Sequence, residues 1–353
     1  MVVGGLSNLT AGTKADIPGP TGSGAFGSNI RVLGNGNLLV IDSGFDLTGP
    51  TVSDVGAVYL YDPNGVLISS LRGSTAGDAV GSGGVVELEN GNFVVISQNW
   101  DNAGVENAGA VTWGSMREGF IGGLNVVVSA ANSLVGSQSG DSIGSGGVRD
   151  LNNGNYVVNS PLCANGTVSR AGASTWGNGV TGIVGVVSLT NSLMGGTFQD
   201  SVGSSFRQLA NSNYVIYTSS WTNPTTSAAN AGAVTWANGM GGTVGLVSAT
   251  NSLVGTTAED RVSGSDVETL TNGNYVVISP SWDSPTVVNA GAVTWSNGTT
   301  GTFGPVTTTN SLHGTTVDDF VGNRGAERLT NGNYVVGSPG WDNGTVANVG
   351  AAT

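Results

Sequence analysis

The sequence predicts an all-β protein, a six-bladed β-propeller built from four-stranded repeats of about sixty residues. Three observations support this prediction. A turn of the Asn-Gly-Asn type recurs at spacings of 55, 63, 58, 61 and 59 residues. A run of β-branched and aromatic residues follows each turn. The repeat shows no apolar period of 3.6 residues, so helices are not expected. The turns begin at positions 35, 90, 153, 211, 272 and 331.

The strands of one unit can be assigned from the copy that spans Val267–Thr316. Its Asn272-Gly273 dipeptide tolerates the positive φ angles of a tight hairpin. Ser279-Pro280 ends the next apolar run, because proline cannot donate a hydrogen bond to a central ladder. A variable loop then leads to a Gly-Ala-Val-Thr-Trp segment. The four predicted strands are Val267–Leu270, Tyr275–Ile278, Gly291–Trp295 and Gly304–Gly314.

The two ends of the chain are expected to complete one unit together. The last copy contains a first strand, a second strand and most of a third, at Ala326–Leu329, Tyr334–Ser338 and Val349–Thr353. Ser7–Asp16 aligns with Ser252–Asp260, which carries the fourth strand of another copy. Residues 1–16 are therefore predicted to close the last blade, which makes residues 1–353 a single domain without exposed sheet edges. An open stack of sheets, a solenoid, is the alternative.

Composition narrows the classes of partner. Only 9% of the 353 residues are charged, the net charge is −13, and Lys14 is the only lysine. Without a basic stripe, neither nucleic acid nor an anionic membrane surface is a predicted partner. No apolar stretch reaches the ~20 residues of a membrane span, so membrane insertion is not predicted. The segment after Met1 lacks the basic start and the apolar run of a signal peptide.

A Trp-Asp pair, or a relative of it, follows the second strand in several copies. An exposed tryptophan could cover the C–H face of a sugar while Asp and Asn bind its hydroxyl groups. The alternative is a tryptophan packed between units, with the aspartate bound to the following loop. The predicted ligand-binding residues are Trp100, Asp101, Trp221, Trp282, Asp283, Trp341 and Asp342.

A single aspartate recurs before the first strand of each copy. One carboxylate per unit is typical of a turn cap that accepts hydrogen bonds from nearby backbone N–H groups. The Asn-Gly-Asn turns carry no acidic cluster, whereas calcium needs six to eight oxygen ligands. No metal and no cofactor are therefore predicted. The recurring residues are Asp16, Asp78, Asp141, Asp200, Asp260 and Asp319.

Residues for catalysis are scarce. Cys163, His313 and Lys14 are the only members of their residue types, so nucleophile–base pairs are nearly unavailable. Cys163 stands where other copies have tryptophan, and His313 stands where another copy has Val254. The sequence predicts no enzyme. A glycan-acting enzyme with paired carboxylates remains a minor hypothesis.

Two resemblances to known repeat families suggest where the protein acts. The first copy, with Gly56–Tyr61 and Gly77–Gly81, resembles the FG-GAP repeat of integrin α-chain propellers. The longer string NGNYVVxSPxWDN, followed by NAGAVTWxNG, looks like the repeats of large secreted bacterial proteins of the filamentous-haemagglutinin and adhesin kind. The second resemblance implies a secreted or cell-surface location and a role in adhesion.

We therefore expect a non-enzymatic binding or adhesion module whose partner is a glycan or a surface protein. The predicted contact loops are Asp101–Asn107, Asp283–Asn289 and Asp342–Asn348, because loops on a rigid scaffold commonly carry binding. The alternative is a structural spacer or a self-assembling subunit of an extracellular fibre. The near-identity of the copies supports that alternative.

Overall fold

The computed structural model describes residues 16–49 and 51–353, and within these ranges every helix or strand is a β-strand. The all-β repeat prediction is confirmed at this level. The strands form six successive units, numbered 1 to 6 along the chain. No helix in the described part of the chain is long and apolar enough to cross a membrane.

The first three units contain strands β1 to β16. Unit 1 consists of β1 Asn29–Val32, β2 Leu38–Asp42, β3 Leu47–Thr48, β4 Thr51–Val52, β5 Ala57–Tyr61 and β6 Leu67–Arg72. Unit 2 consists of β7 Val85–Glu87, β8 Phe93–Ser97, β9 Ala110–Gly114, β10 Val126–Val127 and β11 Leu134–Val135. Unit 3 consists of β12 Val148–Asp150, β13 Tyr156–Ser160, β14 Ala173–Gly177, β15 Gly185–Val186 and β16 Ser192–Met194.

The last three units contain strands β17 to β29. Unit 4 consists of β17 Ser205–Gln208, β18 Tyr214–Thr218, β19 Ala233–Ala237, β20 Gly245–Leu246 and β21 Ser252–Val254. Unit 5 consists of β22 Asp266–Thr269, β23 Tyr275–Ser279, β24 Ala292–Ser296, β25 Gly304–Pro305 and β26 Leu312–His313. Unit 6 consists of β27 Ala326–Arg328, β28 Tyr334–Ser338 and β29 Ala351–Ala352.

Each of units 1 to 5 has a four-stranded antiparallel sheet, and short parallel strands link neighbouring units. The sheet order in unit 4, for example, is β17-β18-β19-β21, and β25 of unit 5 adds a fifth strand in parallel to β21. The segment Gly304–Gly314, predicted as one fourth strand, is therefore divided. Its beginning pairs with the preceding unit, and only Leu312–His313 stays in its own sheet.

The core consists of sheets stacked face to face. Phe93 and Val95 of β8 pack against unit 1, whereas Val94 and Ile96 pack against unit 3. Successive residues of a strand point to opposite faces, so a central strand is buried on both sides. This explains why the second strands are continuous apolar runs and do not alternate with polar residues.

The two ends of the stack differ. Ile17, Phe26 and Phe45 cover the outer face of the first sheet and pack against Val40 and Tyr59. In the last unit, by contrast, most of β28 is only partly buried. Among the described residues the sheets do not close into a ring, since no strand of unit 1 pairs with unit 6. The predicted closure by residues 1–16 lies, apart from Asp16, outside the described residues.

Candidate binding site between repeat units

The tryptophans predicted to bind a ligand are covered. Trp100, Trp221 and Trp282 expose only 4%, 1% and 2% of their surfaces. Each belongs to a core cluster formed by two neighbouring units. Trp341, in the last unit, is half-buried and also packs into an inter-unit core. The structure therefore places these rings in the packed arrangement, where the face of a sugar cannot reach the three buried ones.

The neighbouring aspartates organise their own loops. The carboxylate of Asp101 accepts a hydrogen bond from the backbone N–H of Asn107 at 2.7 Å. Asp283 and Asp342 bind the N–H groups of Asn289 and Asn348 in the same way, each at 2.7 Å. One carboxylate oxygen of each residue thus closes a seven-residue loop, and the aspartate lies four residues after the end of the second strand.

Five of the six recurring aspartates cap turns, as predicted from the sequence: Asp78, Asp141, Asp200, Asp260 and Asp319. Asp260 is fully buried, and its carboxylate accepts the backbone N–H groups of Thr256 and Thr257 and of Asp283, at 2.8, 2.8 and 2.9 Å. Desolvation raises the pKa of Asp260 and of Asp78 above the ordinary value, although the N–H donors act in the opposite direction. The described residues contain no group of three or more His, Cys, Asp or Glu side chains that could hold a metal ion.

The single cysteine and the single histidine occupy scaffold positions. Cys163 is buried, and desolvation together with the nearby Asp141 raises the pKa of its thiol. Its backbone N–H bonds to Ser160 as that of Trp100 bonds to Ser97, so the cysteine fills the tryptophan position. His313 pairs with the third strand of its unit, where its Nδ1 lies 2.7 Å from the carbonyl oxygen of Gly314.

A carbonyl clamp, defined here as two asparagines and a tryptophan that bind one carbonyl of the next unit, joins units 4 and 5. The carbonyl oxygen of Gly298 accepts hydrogen bonds from Asn211 Nδ2 at 2.9 Å, Asn213 Nδ2 at 3.0 Å and Trp236 Nε1 at 3.0 Å. The N–H of Gly298 donates to Asn274 Oδ1 of its own unit at 3.0 Å. Both polar groups of the glycine are therefore held, one by each unit.

The same clamp recurs at the two preceding junctions. At the junction of units 2 and 3, the acceptor is the Gly179 carbonyl, and the donors are Asn90, Asn92 and Trp113. At the junction of units 3 and 4, the acceptor is the Gly239 carbonyl, and the donors are Asn153, Asn155 and Trp176. Between units 1 and 2 only two asparagines, Asn35 and Asn37, bind the carbonyl of Met116.

The clamped carbonyl lies in a turn that requires glycine twice. A Cβ atom on Gly239 would lie 2.0 Å from the backbone oxygen of Ser212, and one on Gly242 would lie 2.6 Å from Cβ of Trp176. The turn therefore fits against the Asn211-Ser212-Asn213 hairpin of its own unit and over the tryptophan of the preceding unit only without these side chains. The turns have the sequence Asn-Gly-X-X-Gly, at residues 178–182, 238–242 and 297–301.

The sequence predicted the Asn-Gly-Asn segment as a hairpin turn, but it did not predict that the two asparagines bind a carbonyl of the next unit. The first asparagine does form the expected turn, since Asn211 Oδ1 accepts the N–H of Asn213. A signal for the clamp was present, however. Units 3, 4 and 5 contain an Asn-Gly-X-X-Gly turn, and the unit before each of them carries a tryptophan on its third strand. Unit 2 has Ser115–Gly119 at this place, with Met116 at the position of the first glycine, and the unit before it carries Leu60 at the tryptophan position.

The residues of unit 5 that are equivalent to the clamp donors, Asn272, Asn274 and Trp295, border an open cavity of about 380 Å³. Trp295 is 45% exposed there, whereas the equivalent Trp113 is 9% exposed. Within the described ranges, Trp295 Nε1 and Asn274 Nδ2 have no hydrogen-bond partner, and Asn272 Nδ2 binds only the carbonyl of Gly332, at 3.0 Å. The cavity is lined by Asn272, Asn274, Trp295, Gly332, Asn333 and Tyr334.

Comparison with known proteins supports the repeat assignment. A family model described as a repeat of unknown function (DUF5650) matches residues 87–145, 150–204, 208–264, 269–323 and 328–353. The match gives no link to FG-GAP or filamentous-haemagglutinin proteins. Comparison with curated protein sequences gives no match. A solved structure of a protein of unknown function from Bacteroides caccae is similar at 12% identity, over 67% of this chain and 69% of that chain, with a TM-score of 0.24.

Proposed function

We propose, from the premise that the chain belongs to the DUF5650 family of repeats, that it is a non-enzymatic binding module of a secreted or cell-surface protein. The observation that carries this proposal is a difference between two groups of residues within each unit. The recurring polar residues hold the scaffold, whereas the loops between the second and third strands are exposed and differ in sequence.

The loops between the second and third strands of all units lie along the same side of the stack. In an antiparallel sheet the turn between strands 1 and 2 and the loop between strands 2 and 3 lie at opposite ends. Because successive sheets pack with their strands in the same order, the second loops of all units fall on the edge opposite the Asn-Gly-Asn turns. A rigid edge that carries variable loops is a common arrangement for binding.

The loop of unit 4 is the most suitable to test. Asn223 and Ala228 form a bridge at its base and are buried, whereas residues 224–227, Pro-Thr-Thr-Ser, are exposed. Asn223 Nδ2 also donates to the carbonyl of Gly255 at 2.8 Å. Replacement of residues 224–227 by Gly-Ser-Gly-Ser therefore alters the exposed tip and leaves its support in place.

The experiment is a screen of the full chain against a glycan array and against surface proteins. We expect at least one ligand to bind above background and the loop variant to lose that binding without a change in thermal unfolding. A ligand that binds the loop variant equally well would move the site away from this edge. Absence of any ligand above background would count against the binding function.

The alternative function is a structural spacer or fibre subunit. It is favoured by the carbonyl clamp, which joins neighbouring units by the same hydrogen bonds at three junctions. Light scattering discriminates between the two functions. Ordered polymers at micromolar concentration would support the fibre subunit. A protein that is monomeric in dilute solution would favour the binding module.

Closure of the six units into a six-bladed propeller is a further part of the proposal. It is supported by the face-to-face packing of successive sheets and by contacts between successive first strands, such as β17 with β22 and β22 with β27. Deletion of residues 1–15 should lower the melting temperature of the whole chain if these residues complete the ring. An unchanged melting temperature, or an elongated particle in small-angle scattering, would favour the open stack.

A further inference from the structure

We propose that an apolar surface on the outer strands of units 3 and 4 is a dimerisation surface, and that its partner is the same surface of a second copy of this chain. This surface, the outer patch, lies away from the loops between the second and third strands. The inference therefore goes beyond the proposed function, and either can fail without the other. The outer patch consists of Val180, Val184, Val186, Met240, Val244 and Leu246.

The fold places these side chains on the outermost strand of a sheet. β15 of unit 3 is the terminal strand of the sheet of unit 2, and β20 of unit 4 has the same place on the sheet of unit 3. Val184 and Val186 flank Gly185 and point to the same face, whereas Val187 points inward and is buried. Residues 244–247 repeat this arrangement. Each outer strand thus has one packed face and one exposed apolar face.

The patch is continuous across the junction of the two units. Met240 Sδ lies 3.6 Å from Asn153 Nδ2 of unit 3. Leu246 also extends over unit 3, where a Cβ atom on Gly196 would lie 3.8 Å from its Cδ2. The six side chains of the patch are 41–71% exposed. A contiguous exposed apolar surface of this kind is typical of an interaction site.

The neighbouring units mark the limits of the patch. The turn residues Val180 and Met240 have charged or polar counterparts on either side. Unit 2 has Arg117-Glu118 at this place, and unit 5 has Thr299-Thr300. The patch is therefore a property of units 3 and 4, in the middle of the chain.

The charge distribution favours a second copy as the partner. Residues 171–199 and 208–258 contain no Asp, Glu, Lys or Arg, although the chain has a net charge of −13. Two acidic chains repel each other, so they approach at least cost where neither carries charge. The centres of protein interfaces are likewise depleted of charged residues. An anionic membrane surface, by contrast, would require basic residues beside the patch.

The backbone of the outer strands is already hydrogen-bonded, which defines the kind of contact. The carbonyl oxygen of Val186 accepts a hydrogen bond from Asn191 Nδ2 at 3.0 Å, and that of Leu246 accepts one from Asn251 Nδ2 at 2.9 Å. These asparagines cover the edge that another strand would need for pairing. The partner therefore contacts the apolar side chains and does not extend the sheet.

The apolar area of the patch is that of a small dimer interface. Complete burial of a valine or leucine side chain removes roughly 60–120 Å² of apolar surface from water. At the observed exposures the six side chains together expose about 200–400 Å². A dimer interface at the lower end of the stable range buries about 600 Å² on each partner, of which about 350 Å² is apolar.

The repeat makes the patch complementary to itself. Units 3 and 4 present their apolar side chains in the same arrangement, one unit apart. When a two-fold axis passes through the junction, unit 3 of one copy faces unit 4 of the other, so both sets of side chains meet equivalent sets. Such a contact is closed and ends at a dimer, which distinguishes it from the assembly of a fibre.

The experiment is sedimentation velocity of the full chain from about 1 to 200 µM, where an interface of this size should give a Kd of about 10–100 µM. We expect a reversible monomer–dimer equilibrium. Val184→Glu combined with Val244→Glu should raise the Kd at least about tenfold, because the dimer would bury unpaired charges. Both valines are about half-exposed, so thermal unfolding should be unchanged.

A matched control tests the effect of charge alone. Val288→Glu combined with Val317→Glu adds the same charge at positions that are 55% and 56% exposed, at the edge of the variable loops. This pair should leave the Kd unchanged. A mixture of the Val184→Glu, Val244→Glu variant with the Val184→Lys, Val244→Lys variant should form mixed dimers, since opposite charges would then meet across the axis.

The opposite results overturn the proposal. A chain that stays monomeric at about 200 µM would exclude the dimer. An unchanged Kd for Val184→Glu with Val244→Glu, or equal weakening by the control pair, would place the contact elsewhere. Failure of the mixed variants to associate would contradict a contact between two copies of the patch. Flotation with phosphatidylcholine vesicles that is lost in the glutamate variant, without a dimer in solution, would assign the patch to a lipid surface.

Discussion

Removal of single indole donors tests the carbonyl clamp against a control within the same chain. Trp236 and Trp295 occupy equivalent positions on the third strands of units 4 and 5. Trp236 is partly buried and donates to the Gly298 carbonyl at 3.0 Å, whereas Trp295 is 45% exposed and has no such acceptor among the described residues. Phenylalanine at either position retains an aromatic ring and removes the N–H donor.

The two substitutions should lower the free energy of unfolding by clearly different amounts. Trp236→Phe loses a hydrogen bond with a net value of about 0.5–1.5 kcal/mol and about 1 kcal/mol of apolar contact. The free energy of unfolding should therefore fall by about 2 kcal/mol, which is roughly a thirtyfold change in the equilibrium. Trp295→Phe should change the free energy of unfolding by no more than about 0.5 kcal/mol, as is typical of exposed substitutions.

The assay is urea unfolding followed by far-UV circular dichroism, since the loss of a tryptophan alters the fluorescence itself. The variant Asn213→Ala provides a cross-check, because Asn213 donates to the same carbonyl and also accepts the N–H of Gly239. In a double-mutant cycle, Trp236→Phe and Asn213→Ala should be non-additive. Equal losses of stability for Trp236→Phe and Trp295→Phe would refute the clamp as a source of stability.

Four further outcomes are expected. Gly239→Ala should lower stability by about 1–3 kcal/mol in urea unfolding, because its Cβ would lie 2.0 Å from a backbone oxygen, whereas Gly241→Ala, with no atom within 4 Å, should be neutral. Burial raises the pKa of Asp260 above 3.8, so the folded state binds its proton more tightly. The stability of the wild type relative to Asp260→Asn should therefore be greatest below pH 3.8 and fall as the pH rises through the raised pKa, and equal pH profiles would contradict this. Trp282→Ala should cost about 3–5 kcal/mol of stability, and a smaller loss would contradict its packed position. The Cys163 thiol should resist iodoacetamide at pH 8 until the chain is unfolded, because it is buried and its pKa is raised, and rapid labelling of the folded chain would show otherwise.

Local chemistry in the sequence was sufficient to locate the first three strands of units 5 and 6 to within one or two residues. The second strand of the last unit, predicted at Tyr334–Ser338, has these bounds in the structure. The third strand of unit 5 begins at Ala292 and not at Gly291, which has a φ of 70° and approaches the backbone of Val321. The fourth segment, Gly304–Gly314, could not be divided correctly, because its first part pairs with another unit and such pairing leaves no local pattern.

The site was less predictable because a tryptophan beside polar residues has the same sequence pattern when it is exposed and when it is packed. Trp282 is followed by an aspartate, the pattern predicted to bind a ligand, and is buried. Trp295 is followed by Ser-Asn-Gly, with no carboxylate beside it, and is exposed. Exposure at Trp295 depends on what packs against unit 5, which is a non-local property. The clamp itself joins residues 60 or more positions apart, such as Trp236 and Gly298, and only a comparison of the copies could have suggested it.

Hydrogen exchange of the four third-strand indole N–H groups tests the central claim most directly. In the clamp, the indoles of Trp113, Trp176 and Trp236 donate to main-chain carbonyls at 3.0 Å and should exchange only when two units separate. The indole of Trp295, with its exposed ring, should exchange at nearly the rate of a free tryptophan. Equal protection of all four indoles, or rapid exchange of the first three, would contradict the account.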